Sequence, residues 1–164
     1  MLTVRPLTSG SHEDRANVLR LFLETPSYSE LVEGRPPSTE DVEDFFHGKP
    51  ESSDAADKRV FGFYLGPDMI GCADVIRSYP TSDCAWIGLL LFSAKHQGHG
   101  YGKVALALLD SMAREWGYLT FQLAAVSTNT RGVAFWQHDG FEEIRRAVNS
   151  RFTGELIVME RPVR

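Results

Sequence analysis

The sequence predicts an α+β fold, a mixed and mostly antiparallel central sheet with one parallel strand pair and flanking helices. Two β-rich runs, residues 59–66 and 69–79, are separated by Gly66-Pro67-Asp68, a tight-turn signature that makes them an antiparallel hairpin. A third apolar run, 85–92, leads into a glycine-rich stretch, a helical pattern to residue 117 and another β-rich run over 119–126. Strand, loop, helix, strand in that order is a right-handed crossover between parallel strands. The other connections read as short enough for antiparallel pairing, so the parallel pair is embedded in an antiparallel sheet.

Each element follows from local chemistry. Residues 2–7 read as a short first strand. Residues 11–24 carry a capping-box pattern, Ser11 with Asp14, ahead of the apolar positions Val18, Leu19, Phe22 and Leu23. Residues 25–37 hold three prolines and a glycine and are irregular or only briefly helical. A second short helix over 38–48 starts at Ser38 and Asp41 and stops at Gly48, and a polar loop follows. After the hairpin and a turn at 80–84, the run 85–92 is apolar on both faces, as in a central strand covered on both sides. Beyond the glycines, Ala105, Leu108, Leu109, Met112, Ala113 and Trp116 recur at helical spacing, and Gly117 is a natural stop. A short helix opening at Asn129, a strand over 141–148 and a strand over 154–161 that ends the sheet complete the chain.

At 164 residues the chain is most simply one domain, residues 1–164, long enough to bury a substantial core. A net charge of −5 disfavours nucleic acid and anionic membranes as partners, since both reward basic surface. Cys72 and Cys84 match no paired metal spacing and no disulfide framework; reduced thiols in a cytoplasmic protein are expected. The N-terminus lacks the apolar core of a signal peptide, and no run approaches the ~18 apolar residues of a membrane span.

The stretch QGHGYGK, residues 97–103, places three glycines at alternate positions at the start of a helix. Amides there point outward and carry the positive end of the helix dipole, so removing side chains lets a phosphate approach them. A tight strand-to-helix turn without a ligand is the other explanation. A P-loop fails on counting, because Gln97 stands where its first glycine belongs and Val104 replaces its hydroxyl. A dinucleotide fingerprint fails because Lys103 follows Gly100 where a glycine is required. His96 and His99 form H-x-x-H with no third ligand at turn or helical spacing, so no metal is expected. His138 and Asp139 lack the serine or cysteine nucleophile motif of a hydrolase.

The pattern that fits is Q-x-x-G-x-G, at Gln97, Gly100 and Gly102. Here the sequence resembles the GNAT superfamily of acetyl-coenzyme-A-dependent N-acyltransferases, whose signature is [RQ]-x-x-G-x-[GA] at a strand-to-helix junction. A second resemblance lies in NTRGVAFWQHDGF, residues 129–141, similar to the family's asparagine, short aromatic helix and Gly-Phe. The likeness covers roughly residues 59–147.

The resemblance implies that the parallel strands splay apart and that the pantetheine arm of acetyl-CoA fills the gap like an added strand. It assigns the arm to the backbone of Leu90, Leu91 and Phe92, and the pyrophosphate to Gln97, Gly98, His99, Gly100, Tyr101, Gly102 and Lys103. Asn129 would bond the arm or cap its helix, and the two roles can coexist. Many members protonate the departing thiolate with a tyrosine, where this chain has Trp136, a donor without useful acidity. Trp136 would then line the acyl pocket or act as a core side chain. Asp74, a carboxylate among apolar strand neighbours, is the candidate base, or else a salt-bridged strand residue. Glu30 and Glu33 lie where such folds shape the acceptor site and could bind a cationic amine, or else are ordinary solvated glutamates. The implied activity is acetyl transfer to a primary amine of a small molecule or protein, with no metal. A non-catalytic acyl-CoA-binding module is the alternative, and a homodimer is plausible through an exposed sheet edge.

Overall fold

The computed structural model describes all residues, 1–164. Seven strands form one sheet in the order β1-β2-β3-β4-β5-β7-β6. In chain order the elements are β1 (Leu2–Pro6), α1 (His12–Glu24), α2 (Pro26–Glu33), α3 (Thr39–His47), β2 (Lys58–Leu65), β3 (Asp68–Arg77), β4 (Cys84–Phe92), α4 (Tyr101–Trp116), β5 (Thr120–Val126), α5 (Thr130–His138), β6 (Glu142–Ala147) and β7 (Leu156–Pro162). The β4–β5 pair is parallel and every other pair antiparallel. The last strand does not lie at the edge of the sheet. β7 inserts between β5 and β6, because the run 157–159 is buried whereas β6 is exposed along nearly its whole length. No helix is long and apolar enough to cross a membrane.

Two apolar layers cover opposite faces. Under α4 lie Phe61, Phe63, Ile87, Leu106, Leu109, Phe121 and Met159. On the other face α1 and α3 bury Val18, Leu21, Phe22, Val42, Phe45 and Phe46 against Val60, Tyr64, Cys72 and Leu91. The α1 face is rotated from the expected one: Leu21 is buried and Leu23 is 56% exposed. Ser11 caps α1 by accepting from Asp14 N–H, but Asp14 returns its carboxylate to Thr8 N–H, so the box is open on one side. In α3 the reciprocal box of Ser38 and Asp41 is complete.

The α4 layer also contains an ion cluster that periodicity hides. Arg161, 1% exposed, donates to both Asp110 oxygens at 2.9 Å and to Asp139 Oδ2 at 2.9 Å and 3.1 Å. Burial pulls the Arg161 guanidinium towards deprotonation, but these carboxylate bonds outweigh it and hold it firmly charged.

Candidate active site

The parallel pair is short. β4 and β5 pair from Cys84–Thr120 to Ile87–Leu123 and then part. Beyond that point β5 stays with β7 as far as Val126, and β4 stays with β3 as far as Phe92. Residues 88–92 therefore have a strand partner on one side only, and Leu89 and Leu90 are only half-buried. The parting coincides with a register shift: Asp74 faces Leu89 while Val75 faces Ile87, leaving Gly88 as the extra residue.

At the end of β4 the chain enters a loop whose amides are left open. A 3-10 turn over Ala94–His96 is followed by Gln97, whose Nε2 donates to the Phe92 carbonyl at 2.9 Å. Gly98 and Gly100 take φ of 78° and 83°, the left-handed region where glycine is unstrained. None of the backbone N–H groups of residues 98–103 has a protein acceptor; the first bond of α4 returns from Val104 N–H to the Gly100 carbonyl. With no side-chain cap on α4, these donors and the helix dipole converge beside the gap. A Cβ at Gly98 or Gly100 would meet nothing within 4 Å. Gly102 is different, since its Cβ would lie 3.0 Å from the Phe135 ring. Two glycines serve the loop's conformation, and the third lets α5 pack on α4.

On the side of β4 away from the gap, Asp74 projects from β3 over Gly88. Its Oδ2 lies 2.7 Å from where a Gly88 Cβ would be, and it accepts no protein hydrogen bond. Its Oδ1 lies 2.8 Å from Lys58 Nζ, an ion pair without hydrogen-bond alignment; Lys58 directs its hydrogen bond to the Gly48 carbonyl at 2.6 Å. Burial raises the Asp74 carboxyl to about 6, although Lys58 pulls the other way and Asp44 adds a smaller upward push. A carboxylate in that range exchanges protons near neutrality. Asp74 and Gly88 line a cavity of about 170 Å³ with Thr25, Tyr28, Glu33, Arg151 and neighbouring side chains of α1, α3 and the β6–β7 segment. Burial pushes the Tyr28 phenol up to about 12, so it stays protonated there.

A family model described as the Acetyltransferase (GNAT) family matches residues 18–141 of this sequence. The chain belongs to the GNAT acetyltransferase family. Its structure is similar to that of an acetyltransferase from Thermus thermophilus, with 27% identity, a TM-score of 0.81, and 99% of this chain and 97% of that one covered. A GNAT family acetyltransferase from Elizabethkingia anophelis with acetyl-CoA bound shares the fold at 15% identity and TM-score 0.67, covering 98% and 97% of the two chains. So does the PaiA N-acetyltransferase from Thermoplasma acidophilum in complex with coenzyme A, at 16% identity and TM-score 0.69, covering 99% of each. No curated protein matches the sequence.

Within this GNAT acetyltransferase, Leu90, Leu91 and Phe92 form the half-paired end of β4, and residues 97–103 form the loop beside it. His96 Nδ1 bonds Ser93 Oγ at 2.6 Å, and His99 bonds the Gln97 carbonyl while its ring stacks on Tyr101. Lys103 is exposed on the first turn of α4. Asn129 Oδ1 accepts from Gly132 N–H at 3.1 Å and caps α5, leaving its Nδ2 without a protein partner. Trp136 meets Phe135 and Phe141 edge-on at 5.1 Å and 5.3 Å, half-buried at the margin of the α4 layer. Glu33 lines the cavity; Glu30 is exposed and does not.

Gly88, Lys58, Thr25, Asp44 and Arg151 escaped the sequence reading. Only Gly88 carried a signal, as an isolated glycine inside an apolar strand run, which marks a bulge or a close approach. Its dependence on Asp74 is testable. Gly88→Ala puts a methyl group against Oδ2 and displaces the carboxylate, so the Asp74 titration followed by carboxyl NMR should move. An unchanged titration would separate the two residues.

Proposed function

We propose that this GNAT acetyltransferase transfers acetyl from acetyl-CoA to a primary amine of a small molecule or a protein. One observation carries the reading: the β4–β5 pairing ends at Ile87–Leu123, and the freed strand leads through one 3-10 turn into six consecutive amides without acceptors. An extended pantetheine arm matches the open edge of residues 88–92, and a diphosphate matches the amides of residues 98–103. Acetyl-CoA would supply the acyl carbon activated as a thioester.

Asp74 serves as the base in this reading. Its Oδ2 accepts a proton from the incoming ammonium, and Lys58 stabilises the ionised carboxylate beforehand. The neutral amine then forms the C–N bond, the C–S bond breaks with its electron pair leaving on sulfur, and the nitrogen gives up its second proton to water as the amide forms. A backbone N–H within residues 90–92 stabilises the oxyanion between those events, a contribution of roughly 10²–10³ in rate. An indole at Trp136 supplies no proton, and the thiolate takes up, through water, the proton that the amine releases. The absence of an acidic side chain at Trp136 is what supports the second reading, a module that binds acyl-CoA without turning it over.

Thiol release from acetyl-CoA across a panel of primary amines separates the two readings. Release dependent on an amine supports transfer; saturable CoA binding with no release on any amine supports the binding module. The diphosphate seat has its own test. Gly100→Val forces a β-branched residue to φ of 83° and strains the loop that holds these amides open, so calorimetric CoA affinity should fall at least ~10-fold. Unchanged affinity would remove the loop from the coenzyme site.

A further inference from the structure

On the wall of the same cavity, two carboxylates hold one of the chain's own cations. Arg151, in the segment between β6 and β7, places Nε 2.5 Å from Glu33 Oε1 and Nη2 3.4 Å from Asp44 Oδ2. Its guanidinium also lies 5.4 Å from the Phe152 ring centroid. The segment is tied down independently of that side chain, because Thr153 donates through its N–H to Val32 and through its hydroxyl to Leu31.

The partners depend unequally on Arg151. Glu33 keeps a second cation in Arg35, whose Nη2 lies 3.3 Å from Oε2 and which also pairs with Asp41 at 2.6 Å. Glu33 is 8% exposed and Arg151 is 48% exposed, so the carboxylate is built into the wall and the guanidinium is the outer, exchangeable member. Asp44 has only Arg151 as a guanidinium partner. Two carboxylates and an aromatic face thus make a cation seat that holds its guanidinium from the solvent side.

A separate observation points to a polar occupant of the same cavity. Thr25, 2% exposed, lines it with an Oγ1 that has no partner in the protein. A buried hydroxyl left unpaired is costly and is satisfied when a ligand N–H or O–H reaches it. The cavity volume of about 170 Å³ equals roughly six waters at ~30 Å³ each and is below the ~300–1,000 Å³ of drug-sized sites. The part of an occupant enclosed by the walls is therefore short. A carboxylate at its far end would face Glu33, Asp41 and Asp44, whose cations Arg35 and Arg151 are already engaged, and an alkyl end would leave the cation seat unused.

We infer that the acceptor is a short amine with a second cation at its far end, a diamine or guanidino-amine, whose distal charge replaces Arg151 between Glu33 and Asp44. This rests on the proposed acetyl transfer, with the reacting nitrogen at Asp74. Arg151 then acts as a specificity device that occupies the seat until a cation of the right reach competes for it.

Three probes of equal chain length test it on the full-length protein: 1,4-diaminobutane, 1-aminobutane and 4-aminobutanoate, whose far ends are cationic, apolar and anionic. The expected kcat/KM, read by thiol release, is highest for the diamine by about ten-fold, the worth of one charge-assisted bond. The aminobutanoate should be poorest, and the diamine's advantage should shrink as salt rises. Arg151→Gln removes the competitor and should lower the diamine KM several-fold more than the 1-aminobutane KM. Asp44→Asn should raise the diamine KM selectively, with melting temperature and CoA affinity controlling for damage. Equal kcat/KM for the three probes overturns the inference, as does a preference for the aminobutanoate that is lost in Arg151→Gln. Calorimetry separates this inference from the reaction itself. Diamine binding weakened by Asp44→Asn, with no thiol release, keeps the seat and removes the transfer. Thiol release from other amines, with no diamine binding, does the reverse.

Discussion

Asp74→Asn is expected to lower kcat/KM by roughly 10²–10⁴-fold at pH 7.5, the range of a positioned general base, while leaving CoA affinity intact. The substitution keeps the side chain's shape over Gly88 and removes the lone pair that takes the proton. The wild-type pH profile carries the same expectation with a definite sign. Asp74 titrates at about 6 because burial raises it more than Lys58 lowers it. As pH falls through that value the carboxylate gains a proton and can no longer act as a base, so activity should drop ten-fold per unit below it. Lys58→Met removes the opposing cation and should move this acid limb to higher pH. An Asp74→Asn enzyme with wild-type kcat and an unchanged acid limb would take Asp74 out of the reaction and leave it a salt-bridged strand residue.

Arg161→Met should destabilise the fold more than any change at the cleft. Arg161 is 1% exposed and is shared by Asp110 and Asp139, whose side chains are 7% and 12% exposed. Removing it leaves two largely buried carboxylates with only the exposed Arg164, 3.6 Å from Asp139 and donating its N–H to Asp110, at a cost of about 3–5 kcal/mol. For a chain of this length each kcal/mol corresponds to ~2–4 °C, so the melting temperature should fall by roughly 6–20 °C. Arg161→Met combined with Asp110→Leu should recover part of the loss, because an apolar pair needs no compensation in that layer. A melting temperature within a degree or two of wild type for Arg161→Met would show that the cluster contributes little, as surface pairs do.

The two predictions differ in how far the sequence anticipated them. Asp74 stood out as a charge in an apolar strand, and its neighbours Gly88 and Lys58 explain how it is held. Asp110 and Arg161 gave no such sign. Asp110 follows Leu109 on α4 and reads as a solvent residue until β7 brings Arg161 against it, 51 residues later in sequence. The same contrast separates the loop from the cavity. Gln97, Gly98 and Gly100 were legible because left-handed φ and open amides are properties of a few consecutive residues. Glu30 and Glu33 sit on one short helix, yet one is exposed and the other is walled in by Arg35 and Arg151. Nothing within α2 distinguishes them.

Local chemistry alone therefore determined the α+β class, the order of elements, the helix caps at Ser11, Ser38 and Asn129, and the glycine loop that carries the family resemblance. These depend on turns, caps and periodicities that act within about one helical turn of chain. Tertiary structure decided that β7 enters beside β5, that a one-residue bulge at Gly88 falls where the parallel strands part, and that Asp74, Thr25, Glu33, Asp44 and Arg151 share one cavity. Those facts rest on sheet register and on contacts between distant segments, where a shift of a single residue turns a side chain to the other face.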